Sequence, residues 1–224
     1  MILKNQKREV ISLKNRKTNL KIAAVLFVAF LLWTVLLLSV DVRPIGPLDS
    51  RVGLATLNQG FHRLIGVHLS LYTLTDWLSL LPIGIVLGFA VLGAAEWRKR
   101  KSLRAVDRRI LLLGVFYAAV FASYAIFELA PVNYRPVLIS GVLEASYPSS
   151  TTLLVLTILP SAIRWLRDRI RPRAVRCSVC ALLWAFCIFM ISARLLSGVH
   201  WLTDIIGGIL LSAALLVALR ALWE

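Results

Sequence analysis

The chain has 224 residues, of which 59% are hydrophobic, and its mean hydropathy is +0.80. Because soluble domains are only about half apolar, this composition excludes an ordinary soluble domain and indicates an integral membrane protein. The net charge of +15 would suit a nucleic-acid partner, but the basic residues alternate with apolar runs. That alternation is what the positive-inside rule predicts for membrane proteins, so we expect no nucleic-acid partner.

Residues 1–21 are polar and basic and predict no folded element. We interpret them as a cytoplasmic tail that precedes a single membrane domain over residues 22–224. Apolar runs long enough to span a bilayer then follow in chain order, since about 17 to 25 residues suffice. They cover residues 22–40, 77–95, 110–127, 148–163, 177–193 and 199–219. Between the first two runs, helical spacing of apolar residues predicts short amphipathic helices at the membrane interface.

The basic residues assign an orientation to these six spans. A cytoplasmic N-terminus places 21 of the 26 lysines and arginines on the cytoplasmic side, together with the C-terminus. An odd number of spans would place the basic segments on both sides of the membrane. The predicted fold is therefore all-α, a six-helix transmembrane bundle in a bacterial plasma membrane.

The segment SARLLSGVHWLTD, from Ser192 to Asp204, contains the most informative polar residues of the chain. His200 and Asp204 are four residues apart, a spacing that places two side chains on one face of a helix. A carboxylate that binds one imidazole nitrogen fixes the tautomer and leaves the other nitrogen to act as nucleophile or base. Arg194, six residues before His200, has a planar guanidinium suited to a phosphate or carboxylate.

Two earlier segments on the same predicted side also suit an anion. Residues 147–152 read YPSSTT at the outer start of the fourth span, where free N–H groups and hydroxyls favour anion binding. Arg135-Pro136 precedes them in the connection after the third span. Together with the His–Asp pair, these elements indicate chemistry on a phosphate at the outer membrane surface. We find no cluster of metal ligands in the sequence and expect neither a metal nor a cofactor.

These three segments resemble the signature of the type-2 phosphatidic acid phosphatases, a family whose site is shared with the vanadium haloperoxidases. The family pattern is Lys, six residues, Arg-Pro; then Pro-Ser-Gly-His; then Ser-Arg, five residues, His, three residues, Asp. Arg194, His200 and Asp204 match the third motif in spacing, although Ala193 stands at its serine. The number of spans and the order of the motifs also fit, so the resemblance covers nearly the whole chain.

The resemblance implies that His200 is the nucleophile that forms a phosphohistidine and that Asp204 orients it. It further implies that the phosphate oxygens are bound by Arg135, Arg194, Ser149 and the backbone at Ser150. Two positions depart from the family pattern. Glu128 stands where the family has its lysine, and Thr151 stands where it has the histidine that acts as general acid. A threonine hydroxyl is a poor proton donor near neutral pH.

The sequence therefore predicts an integral membrane lipid phosphatase that removes a phosphate or diphosphate group at the outer face without a metal. Glu128 or Glu144 is an alternative source of the proton if burial raises its pKa. A second hypothesis is a catalytically degenerate relative that binds or transports a phosphorylated lipid. A third, a haloperoxidase that uses vanadate, is disfavoured because those enzymes are usually soluble. The identity of the lipid and homo-oligomerisation stay open.

Overall fold

The computed structural model of the protein consists mainly of long, apolar helices. The structure describes the backbone of residues 2–223 and the side chains of residues 13–223. The α-helices are α1 (Ile2–Ser39), α2 (Ala55–Ile65), α3 (Leu69–Leu78), α4 (Leu80–Arg100), α5 (Arg108–Leu129), α6 (Ser150–Arg167), α7 (Arg173–Leu196) and α8 (Leu202–Trp223). Two short strands, β1 (Arg43–Pro44) and β2 (Arg51–Val52), pair antiparallel after α1. The all-α class is confirmed.

Five helical segments in the described part of the chain have the length and composition to cross a membrane. They are Leu13–Ser39, Leu69–Arg100, Arg108–Leu129, Arg173–Leu196 and Leu202–Trp223. The segment Leu69–Arg100 joins α3 to α4, so the second predicted span begins earlier than expected. Helix α1 begins at Ile2 and so continues through residues 2–21, where the sequence predicted no element. The side chains of Lys4, Lys7 and Arg8 lie outside the described ones.

Helix α6 corresponds to the fourth predicted span, and its composition differs from that of the other long helices. Its 18 residues include Ser150, Thr151, Thr152, Thr157 and Ser161. Most of its residues are buried, because it packs against α7 and α8 and also contacts α4 and α5. Thr157 and Ser161 donate hydrogen bonds back to the carbonyls of Leu153 and Ile158. A helix surrounded by protein can keep polar residues that a lipid-facing helix cannot.

Close packing of aromatic rings joins α1, α5 and α8 near one end of the bundle. The ring of Tyr147 stacks on Phe30, with ring centroids 6.1 Å apart, and its hydroxyl is 2.7 Å from the hydroxyl of Thr34. A Cβ atom at Gly207 would lie only 2.3 Å from the Tyr147 ring. Because lipid is as apolar as a protein core, such close packing, rather than water exclusion, favours association of these helices.

The segment between α1 and α4 covers the start of α8. Asn58 on α2 is buried, and its side chain accepts a hydrogen bond from the backbone N–H of Thr203 and donates one to the Thr203 hydroxyl. Gly198 follows α7 with φ +68°, and a Cβ there would lie 2.0 Å from the carbonyl oxygen of Gly66. Only glycine fits that approach. These contacts fix α2 and α3 against the turn that contains His200.

Candidate active site

The turn between α7 and α8 positions His200 and Asp204. Helix α8 begins at Leu202, so His200 precedes the helix and the prediction that both residues share one helix is wrong. The Asp204 side chain instead folds back, and its Oδ2 accepts the backbone N–H of Trp201 at 3.0 Å. This reverse contact ends the turn and leaves Oδ2 3.7 Å from His200 Nδ1, longer than a hydrogen bond. The two residues are still neighbours, as their spacing predicted.

The other imidazole nitrogen of His200 faces Arg135. The distance from Arg135 Nη1 to His200 Nε2 is 3.4 Å. Because a guanidinium only donates hydrogen bonds, Nε2 must accept, which puts the ring proton on Nδ1, the atom facing Asp204. Burial lowers the pKa of His200 well below its ordinary value, and the positive charges of Arg135 and Arg194 act in the same direction. Both effects disfavour the charged imidazolium, and acceptance from Arg135 requires a lone pair on Nε2.

Asn133 links the connection before α6 to Asp204. It is fully buried, its Nδ2 donates to Asp204 Oδ1 at 3.2 Å, and its Oδ1 accepts the backbone N–H of Gly53. The backbone carbonyl of Asn133 also accepts a hydrogen bond from the backbone N–H of Ser146. Every polar atom of this side chain thus has a role in the fold of the turn, and both Asp204 oxygens have a donor. Nothing in the family motifs pointed to Asn133.

Arg135 lies on the same connection and forms an ion pair within it. Its backbone N–H donates to the carbonyl of Glu144, and its Nε is 2.8 Å from Glu144 Oε2. The arginine side chain is about 10% exposed and the glutamate side chain about 36%. The guanidinium thus reaches towards His200 with one nitrogen while a carboxylate holds the other side.

A cavity of about 270 Å³ opens beside His200. We call it the histidine cavity. Its polar lining includes Glu128, Arg135, Glu144, Ser150 and His200. The phenol of Tyr124 lies beside the Glu128 carboxylate at its edge. Two carboxylates therefore face a space whose other charged lining group, in the part of the chain described, is a single arginine. Glu128, which stands where the type-2 phosphatidic acid phosphatases have their motif lysine, therefore lies at this cavity.

Arg194 lies behind this cavity rather than in its lining. It is in the last turn of α7, not in the connecting turn as expected, and its side chain is only 2% exposed. Its Nη1 donates to the Thr75 hydroxyl at 3.0 Å and to the carbonyl of Tyr72, and its Nη2 is 3.5 Å from Asp76 Oδ1. The Tyr72 ring contacts both guanidinium groups, 4.7 Å from Arg194 and 5.7 Å from Arg135.

The start of α6 contributes one residue to the cavity lining. Ser149 is the N-cap of α6, is fully buried, and accepts from the Thr152 hydroxyl at 3.1 Å. Ser150, the first helical residue, lines the cavity. Thr151 is buried in the first turn and is not part of the lining. The N-terminus of α6 therefore points its free N–H groups and positive dipole end at this region.

The structure brings His200, Asp204, Arg135, Ser150 and Glu128 together at one place, with Arg194, Ser149 and Thr151 immediately behind it. Sequence reasoning missed the side chains that hold these groups, chiefly Tyr72, Thr75, Asp76 and Asn133. One signal was available for α3, since Thr75 and Asp76 follow Tyr72 by three and four residues and so lie on its side of the helix. The same reasoning set aside His62 and His68, and neither lines the histidine cavity.

Comparisons with known proteins concern the sequence family and the fold. Residues 129–224 match the family model of the PAP2 superfamily. The crystal structure of the first transmembrane PAP2 type phosphatidylglycerolphosphate phosphatase from Bacillus subtilis is similar to the chain at a TM-score of 0.52. The two are 16% identical, and the alignment covers 90% of this chain and 94% of that chain. No curated protein matches the sequence.

The fold and the cavity define a helical membrane protein with a polar site at one end of its bundle. The resemblance to the type-2 phosphatidic acid phosphatases is confirmed, and the PAP2 superfamily pattern covers the connection with Arg135 and helices α6 to α8. The chain is an integral membrane protein with the fold of the membrane PAP2 phosphatases.

Proposed function

We propose that the protein is a lipid phosphatase that hydrolyses a phosphate or diphosphate group through a phosphohistidine on His200. The observation that carries this proposal is the position of His200, whose Nε2 lies 3.4 Å from Arg135 Nη1 beside a cavity that Ser150 also lines. A nucleophile must present a lone pair to the phosphorus, while cations and helix N–H groups bind the phosphate oxygens. The histidine cavity combines these features.

In the first step, the Nε2 lone pair forms a bond to phosphorus while the bond from phosphorus to the leaving oxygen breaks. The leaving oxygen takes the electron pair and needs a proton if it is basic. The phosphorylated imidazole carries a positive charge, which the nearby Asp204 carboxylate stabilises through the Nδ1–H. In the second step, water attacks the phosphorus, the bond to Nε2 breaks, and inorganic phosphate leaves.

Arg135 and Arg194 have different parts in this scheme. Arg135 lines the cavity and binds the phosphate oxygens directly. Arg194 lies behind the cavity with only 2% of its side chain exposed, and α3 holds it in place. It acts through its positive charge on the same region. The Ser150 N–H and the dipole of α6 bind the remaining oxygens. These groups have fixed positions before substrate arrives, which is the condition for strong electrostatic stabilisation.

The proton for the leaving group is the weakest part of the site. Thr151 is buried and outside the cavity lining, so it is no substitute for a general-acid histidine. Two carboxyl groups do line the cavity, Glu128 and Glu144. Glu144 already forms an ion pair with Arg135, so Glu128 is the carboxyl group that we propose as the alternative donor. A lipid diphosphate needs less help, because its leaving group is a phosphate monoester rather than an alkoxide.

The reaction is tested by measuring phosphate released from a lipid monophosphate and a lipid diphosphate by purified protein in the presence of a chelator. His200→Ala should abolish release, by about 10⁴-fold or more. His68→Ala is the matched control, because the His68 side chain is exposed, lies 3.0 Å from the Ile65 carbonyl oxygen, and is outside the cavity lining. Phosphate transferred to the wild-type protein and retained in base, but not in acid, would identify the phosphohistidine. Activity in His200→Ala equal to wild type would overturn the proposal.

We further propose that α6 also crosses the membrane, as the fourth of six spans, that both chain ends are cytoplasmic, and that the histidine cavity opens to the outside of a bacterial plasma membrane. The segregation of basic residues supports this orientation. After replacement of Cys177, Cys180 and Cys187 by serine, Ser140→Cys should react with an impermeant thiol reagent on intact cells and Ser102→Cys should not. Both positions are exposed. The reverse labelling pattern would invert the topology.

A further inference from the structure

The aromatic ring of Tyr72 on α3 lies against both arginines of the candidate site. Its centroid is 4.7 Å from the guanidinium carbon of Arg194 and 5.7 Å from that of Arg135. Arg194 belongs to the last turn of α7, whereas Arg135 belongs to the connection before α6. One ring on a third element therefore joins two cations that come from separate parts of the chain.

An aromatic face attracts a guanidinium group without using its hydrogen-bond donors. The ring quadrupole attracts the cation, and the attraction is stronger where water is excluded. Both arginine side chains are largely removed from water, since 2% of Arg194 and about 10% of Arg135 are exposed. A carboxylate in the place of the ring would accept N–H groups that a phosphate also needs. The contact with Tyr72 therefore holds a guanidinium and leaves its donors available to phosphate oxygens.

Helix α3 is held against the end of α7, so the Tyr72 ring has a defined position. The backbone N–H of His68, which precedes α3, donates to the carbonyl of Ser197 at 2.9 Å. The carbonyl of Tyr72 accepts from Arg194 Nη1 at 3.3 Å. The hydroxyl of Thr75 accepts from the same nitrogen at 3.0 Å. Arg194 thus contacts both the backbone and the ring of Tyr72, and these contacts fix the ring relative to α7.

The contact with the ring gains importance for Arg135 during the proposed reaction. Before the reaction, Arg135 Nη1 is 3.4 Å from His200 Nε2, and Arg135 Nε pairs with Glu144, whose side chain is about 36% exposed. When Nε2 attacks phosphorus, its lone pair enters the new bond and no longer accepts from Arg135. The face of the Tyr72 ring is unchanged by this step. It therefore continues to hold Arg135 beside the phosphate after the contact with His200 is lost.

The ring also keeps two like charges close to one reacting atom. The positive charges of Arg135 and Arg194 both lower the pKa of His200, so the field of both arginines reaches the imidazole. Two guanidinium groups repel each other, and the repulsion is stronger where water is scarce. A ring that attracts both cations offsets part of this repulsion. The two charges are then in place before substrate arrives, as electrostatic stabilisation of a transition state requires.

We infer that Tyr72 is a positioning residue of the proposed phosphatase, and that its ring holds Arg135 at the histidine cavity and couples it to Arg194. This inference rests on the proposed function. Tyr72 is not part of the cavity lining, so it acts through the arginines and not on the substrate. The acting group is the aromatic ring, and the phenol hydroxyl is dispensable.

The role of Tyr72 is tested by the affinity of the purified full chain for inorganic phosphate, measured by isothermal titration calorimetry, and by kcat/KM on a lipid phosphate. Tyr72→Leu removes the ring and should lower both values by roughly tenfold. Tyr72→Phe keeps the ring and should restore both to nearly the wild-type level. Trp77→Leu is the matched control, because Trp77 is an aromatic residue of the same helix, is 70% exposed, and lies outside the cavity lining. Unchanged affinity in Tyr72→Leu, or an equal loss in Tyr72→Phe or Trp77→Leu, would overturn the inference.

A double-mutant cycle separates positioning of Arg135 from a general defect of α3. In the Arg135→Gln background, Tyr72→Leu should have little further effect on phosphate affinity, because the group that the ring holds is gone. A loss by the same factor in both backgrounds would overturn the inference, since it would mean a structural defect. Melting temperatures show which variants are folded, and Tyr72→Met replaces Tyr72→Leu if the latter unfolds.

The phosphate affinity also separates this inference from the proposed function on which it rests. Wild type that binds phosphate with the expected dependence on Tyr72, but releases none from any lipid phosphate, would refute the phosphatase proposal and leave Tyr72 as a positioning residue of a phosphate-binding site. Wild type that releases phosphate equally fast with and without the Tyr72 ring would refute the role of Tyr72 alone. Absence of phosphate binding by wild type would overturn both.

Discussion

The two ends of the bundle hold their charged residues in different ways. Around the histidine cavity, Arg194, His200 and Asp204 are buried, and two of them contact a neighbour from another element: Arg194 contacts α3, and Asp204 contacts Asn133. At the opposite end, the ion pairs Arg109–Asp168 and Arg169–Asp107 are short but largely exposed. Exposed pairs are worth at most about 1 kcal/mol, whereas buried networks lose far more when one member is removed.

We interpret the first region as the site of the proposed phosphatase chemistry and the second as the region whose basic residues set the proposed orientation. Substitutions at the histidine cavity should therefore change activity or stability sharply. Substitutions of comparable chemistry at the other end should change either property only slightly. The following predictions test that contrast.

The largest effect is expected for restoring the missing acid. Thr151→His places a longer, titratable side chain next to Ser150 of the cavity lining. If that side chain reaches the cavity, it should raise kcat/KM on a lipid monophosphate by up to about 10²–10⁴-fold, because an alkoxide leaving group needs a proton. The rate on the diphosphate of the same lipid should change much less. The wild type should accordingly prefer the diphosphate. Equal wild-type rates on both substrates, with no gain in Thr151→His, would mean that Glu128 or another group already supplies the proton.

The next effect concerns the phosphate-binding arginine. Arg135→Gln should lower kcat by about 10²–10³-fold, as expected for loss of one donor that stabilises transition-state charge. Arg104→Gln, at the exposed surface of the opposite end, removes the same charge and should leave kcat unchanged. Steady-state kinetics on one substrate measure both. Similar losses in the two variants would show that net charge, and not the position of Arg135, governs the rate.

The buried network should also be visible in stability. Asn133→Ala leaves the Gly53 N–H without its acceptor and removes a donor from Asp204, so it should lower the free energy of unfolding by about 1–3 kcal/mol. Arg169→Gln breaks an exposed ion pair and should cost no more than about 1 kcal/mol. Thermal unfolding in one detergent compares the two. A larger loss in Arg169→Gln would reverse the contrast between the ends.

The smallest effect is a pH dependence from His200. Its pKa is lowered in the folded state, so the folded protein binds its proton later than the unfolded chain does. Its contribution to stability is present above the unfolded pKa of about 6.5 and is lost as pH falls below that value. The stability of wild type relative to His200→Asn should fall between pH 7.5 and 5.5. A relative stability that rises instead would indicate a charged His200 stabilised by Asp204.

The sequence alone was sufficient for the features that depend on composition and short spacing. Apolar runs predict the long helices because a bilayer demands uncharged segments of one length. The third motif predicted that His200 and Asp204 are neighbours, and five residues separate Arg194 from His200 in any fold. The resemblance to the type-2 phosphatidic acid phosphatases rested on the same local patterns, and the comparisons confirm it over residues 129–224.

Composition and short spacing could not predict where the helices begin and end at the site. Spacing suggested that His200 is helical, but Asp204 accepts the N–H of Trp201 and so begins α8 after the histidine. The sequence of α6 likewise does not show why a helix with so many hydroxyl groups is stable in this bundle. Only its position among α4, α5, α7 and α8 makes a threonine-rich helix stable there.

What only the tertiary structure decided is which side chains hold the motif residues and which of them face the cavity. Arg194 is held by Tyr72, Thr75 and Asp76, more than 115 residues earlier, and Asp204 by Asn133, 71 residues earlier. Contacts at that separation leave no periodic trace in a single sequence, because each partner is one buried polar residue on an otherwise unrelated element. Local sequence motifs therefore identify the residues of the proposed site, whereas contacts between elements distant in the sequence hold those residues in position.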